Sequence, residues 1–293
     1  MIRRMKASPS AIAALAGAAG LLTASGALAQ GAPAPLYFSC DARARDLAMD
    51  GLKQASPSPE AQAADLAAAN AAIAKATKLN EDALAGRDVP QPYSGVAHWS
   101  KLAGQATAPD TAELFRRVAK DQLARYQATI AMTRTHWAEG LSDPARRYAY
   151  KIVSLDGCGV DEANTAWFKI VLKTHGWFTI GKDGKDADTA AFLLVQHADR
   201  DPAFQAEVLP MLEKLALEGQ ARPANYALLF DRVAHAQKRP QRYGSQGRCN
   251  DTGVWEPFET EDPATLDQRR ATMGLPPEAD YAASISARAC KRG

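Results

Sequence analysis

The feature that most constrains this chain is a run of six apolar residues, Ala190 to Val195, with Gln196-His197-Ala198-Asp199-Arg200-Asp201 directly after it. Together with Asp188 and Thr189 the run reads as a helix from Asp188 to Asp199 whose middle turns have no polar face. Such a helix has to be buried on nearly all sides. Other helices must therefore surround it, and the polar residues at its end must find partners or cost a few kcal/mol each.

The neighbouring segments supply those helices. Thr111 to Gly140 repeats apolar residues at Leu114, Val118, Leu123, Tyr126, Ile130 and Trp137, with Arg116, Lys120 and Arg125 between them. Ser154 to Gly159 contains two glycines and reads as a turn, after which Asp161 is placed to cap a helix through Trp167, Ile170 and Val171. Pro202 and Pro223 stand at first-turn positions of helices Pro202 to Glu218 and Pro223 to Ala236, and Gly219 ends the former. Gln237 to Glu261 is dense in Gly, Pro and polar residues, with room for one short hairpin between Tyr243 and Phe258. Helix resumes at Thr265 to Met273 and at Glu278 to Ala289. Upstream, Pro59 to Leu84 is a helix by alanine propensity, with a shallow packing face. Sustained period-two alternation is missing, so the expected fold is mainly α. It is a single compact helical domain over 111–293, preceded by an Ala-rich helical extension or linker over 30–110 and ending in a loop-rich part.

Arg3, Arg4 and Lys6, then an apolar stretch from Ala11 to Leu22, then Ala27-Leu28-Ala29 have the order of a cleavable signal peptide over 1–29, with the mature chain starting at Gln30. The apolar stretch is shorter than the ~20 residues of a spanning helix, so no stable membrane insertion is expected after cleavage. The twin-arginine route lacks the apolar pair that should follow Arg3-Arg4, and no Cys follows the cut. The protein is expected to be soluble and periplasmic or secreted. Of 35 basic and 33 acidic residues, three basic ones fall in the leader, leaving 32 against 33. A near-neutral chain carries no global field for nucleic acid. Cys40, Cys158, Cys249 and Cys290 can form two disulfides in three connectivities, and Cys249 with Cys290 is preferred because both lie in the loop-rich end.

His197 is the natural candidate for a general acid or base, with Asp199 or Asp231 setting its tautomer. Asp231 and His235 share a helix face and could supply metal ligands beside His197. No HExxH or comparable framework accompanies them, and neither metal nor cofactor is expected. Gln241-Arg242-Tyr243-Gly244-Ser245-Gln246 offers uncharged donors and acceptors around a turn glycine, suited to a sugar, peptide or amide. Ser245 lacks a nucleophile-elbow context. Arg269-Arg270 reads as a partner of Asp262 and Asp267, and Trp167, Trp177 and Phe192 read as core. The candidate site thus joins His197, Asp199 and Asp231 as catalytic residues to Asp161, Asn164, Gln196, Arg232, Gln241, Tyr243 and Gln246 as ligand-binding ones. Two functions fit: a hydrolase for an extracytoplasmic substrate, or a non-catalytic binding or interaction module in which the same residues form a structural network.

The segments THGWFTIG (Thr174 to Gly181), LLVQHADRDPAFQ (Leu193 to Gln205), DRV (Asp231 to Val233), QRYGSQ (Gln241 to Gln246) and LDQRRATMGLPPEADY (Leu266 to Tyr281) resemble an uncharacterised bacterial family, domain of unknown function 6624. Asp121-Gln122 with Arg125, and Asp161 with Asn164, Thr165 and Lys169, are similar to its pattern too. Phe178 stands where such proteins often have proline, and Ser245 where threonine is usual. The resemblance implies no activity and no catalytic residues. His235 lies outside it.

Overall fold

The computed structural model describes residues 40–290 apart from residue 42, with the side chains of residues 288 and 289 also left out. The signal-peptide segment 1–29 lies outside the described residues. The fold is mainly α. Its helices are α1 (Ala44–Ala55), α2 (Pro59–Leu84), α3 (Ser94–Gln105), α4 (Pro109–Thr133), α5 (Asp143–Thr174), α6 (Ile180–Asp183), α7 (Lys185–Gln196), α8 (Pro202–Leu217), α9 (Pro223–Ala236), α10 (Leu266–Thr272) and α11 (Glu278–Ile285). Among the described residues one small antiparallel sheet occurs, β1 (Gly247–Cys249) against β2 (Trp255–Pro257). It lies where the hairpin is expected, and no helix among those residues is long and apolar enough to cross a membrane.

Helices α4 and α5 form a common spine with a core on either side. One core gathers around α7, where residues 190–196 and the two that follow are all buried, with Phe168, Trp177, Phe178, Phe204, Leu212 and Phe230 packed about it. The other uses Ala69, Ala72, Ala76 and Ala83 of α2 against Ile130, Ala145, Ala149 and Val153. Methyl groups suffice there because the helices approach closely. A small third cluster sets Trp255 edge-on to Tyr281 at 5.4 Å beside the Cys249–Cys290 disulfide. The second disulfide joins Cys40, ahead of α1, to Cys158 of α5.

Two local expectations are corrected. Ser154 to Gly159 is not a turn but the middle of the 32-residue helix α5. Helical glycine costs about 1 kcal/mol, but Ser154, Gly157 and Cys158 are buried small residues of a helix against which α1 packs. Packing outweighs propensity. Arg125, read as a polar-face residue of α4, is fully buried. Leu114, Val118, Asp121 and Arg125 are spaced four, three and four apart, so Asp121 and Arg125 continue the inward stripe.

Proline and capping fix the ends near the candidate site. Ser142 accepts from the Ala145 N–H at 3.2 Å to start α5, and Asp201 accepts from Phe204 N–H at 3.0 Å ahead of Pro202 to start α8. The C-terminal end of α7 is closed by Gln205 of α8, whose Nε2 donates to the carbonyls of Val195 at 3.1 Å and Gln196 at 3.0 Å. This tie holds the turn carrying His197.

Candidate functional site

His197 follows the last residue of α7 and turns inward against α4. Its Nδ1 lies 3.0 Å from both carboxylate oxygens of Asp121. A carboxylate only accepts, so Nδ1 carries the proton and Nε2 the lone pair. That lone pair meets the Gln196 side-chain amide at a long 3.4 Å. Gln122 Nε2 donates to the second Asp121 oxygen at 2.8 Å. Arg125 Nη1 donates to Asp121 at 2.9 Å and to Asp161 at 3.0 Å, and its Nη2 donates to the other Asp161 oxygen at 3.2 Å. Asp161 is thus no helix cap. It projects from the middle of α5 onto α4, where one guanidinium holds two carboxylates.

The electrostatics follow from that sharing. Burial would raise the Asp121 carboxyl, but the charges of Arg125 and His197 and their hydrogen bonds hold it below its ordinary value. For Asp161 burial wins: its pKa is pushed up to about 7, Arg125 opposing and the nearby Asp121 charge assisting. Burial lowers His197, and the Arg125 charge lowers it further against Asp121. A protonated Asp161 leaves two neutral pairs, Asp121 with Arg125 and Asp199 with Arg232, around a neutral imidazole. Electroneutrality is what a low-dielectric site favours.

An open groove of about 360 Å³ runs along this cluster, lined by Asp161, Thr165, Lys169, His197, Arg200 and Asp201 among others. Lys169 pairs with Asp201. Arg200 pairs with Glu162 at 3.0 Å and donates to Cys158 Sγ at 3.2 Å, which ties the rim to the Cys40–Cys158 disulfide. Asp199, between groove residues Ala198 and Arg200, pairs with Arg232 of α9. Asn164 accepts from Arg117 Nη1 at 3.3 Å, one turn along α5 from Asp161. A second cleft of about 300 Å³ between α1 and α5, lined by Gly51, Leu52, Tyr148, Arg147 and Lys151, contains neither histidine nor carboxylate.

The remaining expected residues form a separate lock. Asp231 accepts from the backbone N–H groups of Arg242 at 2.9 Å, Tyr243 at 3.0 Å and Ser245 at 2.8 Å. Its pKa is raised by burial, which these donors oppose. Gln241 Nε2 donates to the carbonyls of Gln246 at 2.8 Å and Phe258 at 3.1 Å, and its oxygen accepts from Gln246 N–H at 2.6 Å. Tyr243 packs edge-on to Phe230 at 5.9 Å. The loop is packed inward, and its hydrogen bonds are internal. Asp231 and Arg232 are adjacent in α9 but serve different places: one organises the loop, the other meets Asp199.

His235 stacks on Phe258 with ring centroids 4.3 Å apart, and no group of three or more His, Cys, Asp or Glu side chains among the described residues is arranged to hold a metal ion. The candidate residues read from the sequence omitted Asp121, Gln122, Arg125 and Gln205. Their signal was present in Asp121 and Arg125 at i and i+4 on an apolar stripe, where buried charges need partners.

These features define a helical domain with a histidine and carboxylate cluster buried between its central helices and opening on a groove. Residues 113–289 match DUF6624, a family of unknown function, and the chain belongs to it. No curated protein and no solved structure matches the chain.

Proposed function

We propose that the groove beside His197 is an acid–base centre and that the protein is a hydrolase acting on an extracytoplasmic substrate. One observation carries this reading. A single groove pairs a histidine whose outer nitrogen is left as an acceptor with a carboxyl group pushed up to about 7. Two titratable groups driven to opposite protonation states are the ordinary requirement for acid and base work at one pH. His197 Nε2 takes a proton from a water molecule, and the hydroxide equivalent attacks the scissile centre. Asp161 gives its proton to the leaving group, and Asp121 stabilises the imidazolium formed in between. Proton return from His197 to Asp161 through solvent restores the starting state.

The location outside the cytoplasm is supported by the leader-like residues 1–29 and by two disulfides, which persist in oxidising compartments. The groove is large enough to seat a small polar substrate group. The test compares wild type with H197Q and D161N on peptide, ester and glycan substrates of the cell envelope. Turnover should fall about a hundredfold or more in H197Q. Wild-type activity should decline above pH 7 as Asp161 loses its proton, and D161N should lose that alkaline limb.

The second reading is a binding or interaction module with a structural polar network. Complete burial of Arg125 between two carboxylates and saturation of Asp231 by three backbone donors favour it. Loss of stability in H197Q, with no turnover by wild type on any substrate, would select it.

A further inference from the structure

Arg232 projects from α9 toward the turn that follows α7, and its Nη1 donates to Asp199. Its other two nitrogens, Nε and Nη2, are shut from solvent and meet no acceptor. Their N–H bonds run parallel along one edge of the planar guanidinium, the edge that grips a carboxylate or phosphate through two bonds at once. Arg125 by contrast uses both amino groups on Asp121 and Asp161, and Arg270 engages Nε and Nη1 with the carbonyls of Pro276 and Tyr243. Two donors of a charged group buried without acceptors are costly, which a protein bears most readily where an acceptor comes and goes.

Asp199 stands between Ala198 and Arg200, which line the groove, so its partner Arg232 lies just behind that wall. Arg232 lies close enough for its charge to act on His197, and Asp199 close enough to act on Asp161. The Asp199 and Arg232 side chains are 18% and 11% exposed, against 1% and 0% for Asp121 and Arg125.

We propose that Arg232, behind the Ala198–Arg200 wall of the groove, is the specificity-determining residue and that the substrate carries an oxyanion, a carboxylate or a phosphate, bound by the Nε and Nη2 edge. This deepens the acid–base reading and rests on it, since it names the class of substrate brought to His197. Asp199 keeps Arg232 neutralised and oriented through Nη1 while the free edge takes the anion.

The test uses sodium acetate and inorganic phosphate as probes, at ionic strength held constant with chloride, and follows the Arg232 Nε–H resonance by nitrogen-edited NMR. At least one anion should shift that resonance saturably with one site per chain. Acetate alone assigns a carboxylate substrate, and phosphate alone a phosphoester. R232K keeps a positive charge for Asp199 but lacks the parallel edge, and should weaken binding about tenfold or more. H197Q should bind the anion as wild type does. If H197Q binds and no form of the protein turns over any substrate, the acid–base reading fails while the anion site stands. Absence of a saturable shift with both anions in wild type, or unchanged affinity in a folded R232K, overturns the proposal.

Discussion

Arg125 is the residue on which the buried cluster depends, because its two amino groups donate to Asp121 and Asp161 together. Replacing it with methionine removes the cation and leaves the Asp121 carboxylate buried without it, so R125M should lose about 3–5 kcal/mol of stability in urea unfolding. D161N should cost far less, since it keeps the shape and removes a charge that burial already disfavours. Its pH dependence has a definite sign. A carboxyl whose folded pKa is raised binds more protons in the folded state, so its contribution to stability is present at low pH and fades as pH rises through about 7. The stability advantage of wild type over D161N should therefore shrink between about pH 4 and 7 and level off above that. An advantage that grew with pH would show that Asp161 is held ionised by Arg125. His197 acts in the opposite direction, its lowered pKa withdrawing stability as pH falls below the ordinary imidazole range. Of these residues, His197 and Asp161 stand out in the sequence by chemistry and position. Asp121 and Arg125 do not, because amphipathic patterning assigns charged residues to the outside and a buried ion pair breaks that rule.

At the scale of elements, α7 and α5 show opposite limits of pattern reading. The apolar run Ala190 to Val195 already implies burial on all sides, and Leu194 is 2% exposed in a core of aromatic and aliphatic side chains. L194A should cost about 2–5 kcal/mol, measured by denaturant midpoint at constant m-value. Helix α5 runs straight through a Ser and Gly stretch that reads as a turn, since Ser154, Gly157 and Cys158 are buried there and Cys158 is bridged to Cys40. The hairpin has its own steric lock. A Cβ on Gly247 would lie 2.2 Å from the carbonyl oxygen of Glu256 and 2.4 Å from the Trp255 ring, so G247A should disrupt the β1–β2 pairing. Loss of protection of the Gly247 to Pro257 amides in hydrogen exchange would register it, with α7 protection retained.

Across the whole molecule, the disulfides hold the two ends of the described chain to its body. Cys40 to Cys158 spans 118 residues of sequence and Cys249 to Cys290 spans 41. Loop-closure entropy makes the longer bridge the more stabilising by roughly 1 kcal/mol. The C40S/C158S double variant should therefore unfold at lower denaturant than C249S/C290S. The reverse order would mean that packing of Trp255 on Tyr281 depends on its bridge more than loop entropy suggests. Helical class, the proline-marked starts of α8 and α9, the site of the hairpin and the burial of α7 were determined by sequence alone, because each rests on local sterics or on short-range apolar periodicity. Which polar residues meet was decided only by tertiary structure. Asp121, Asp161 and His197 lie on three different helices or their ends, and their encounter depends on how α4, α5 and α7 cross. The parting of Asp231 from Arg232 has the same origin. Neighbours in a helix point in different directions, and only the packed loop on one side and Asp199 on the other show what each one holds.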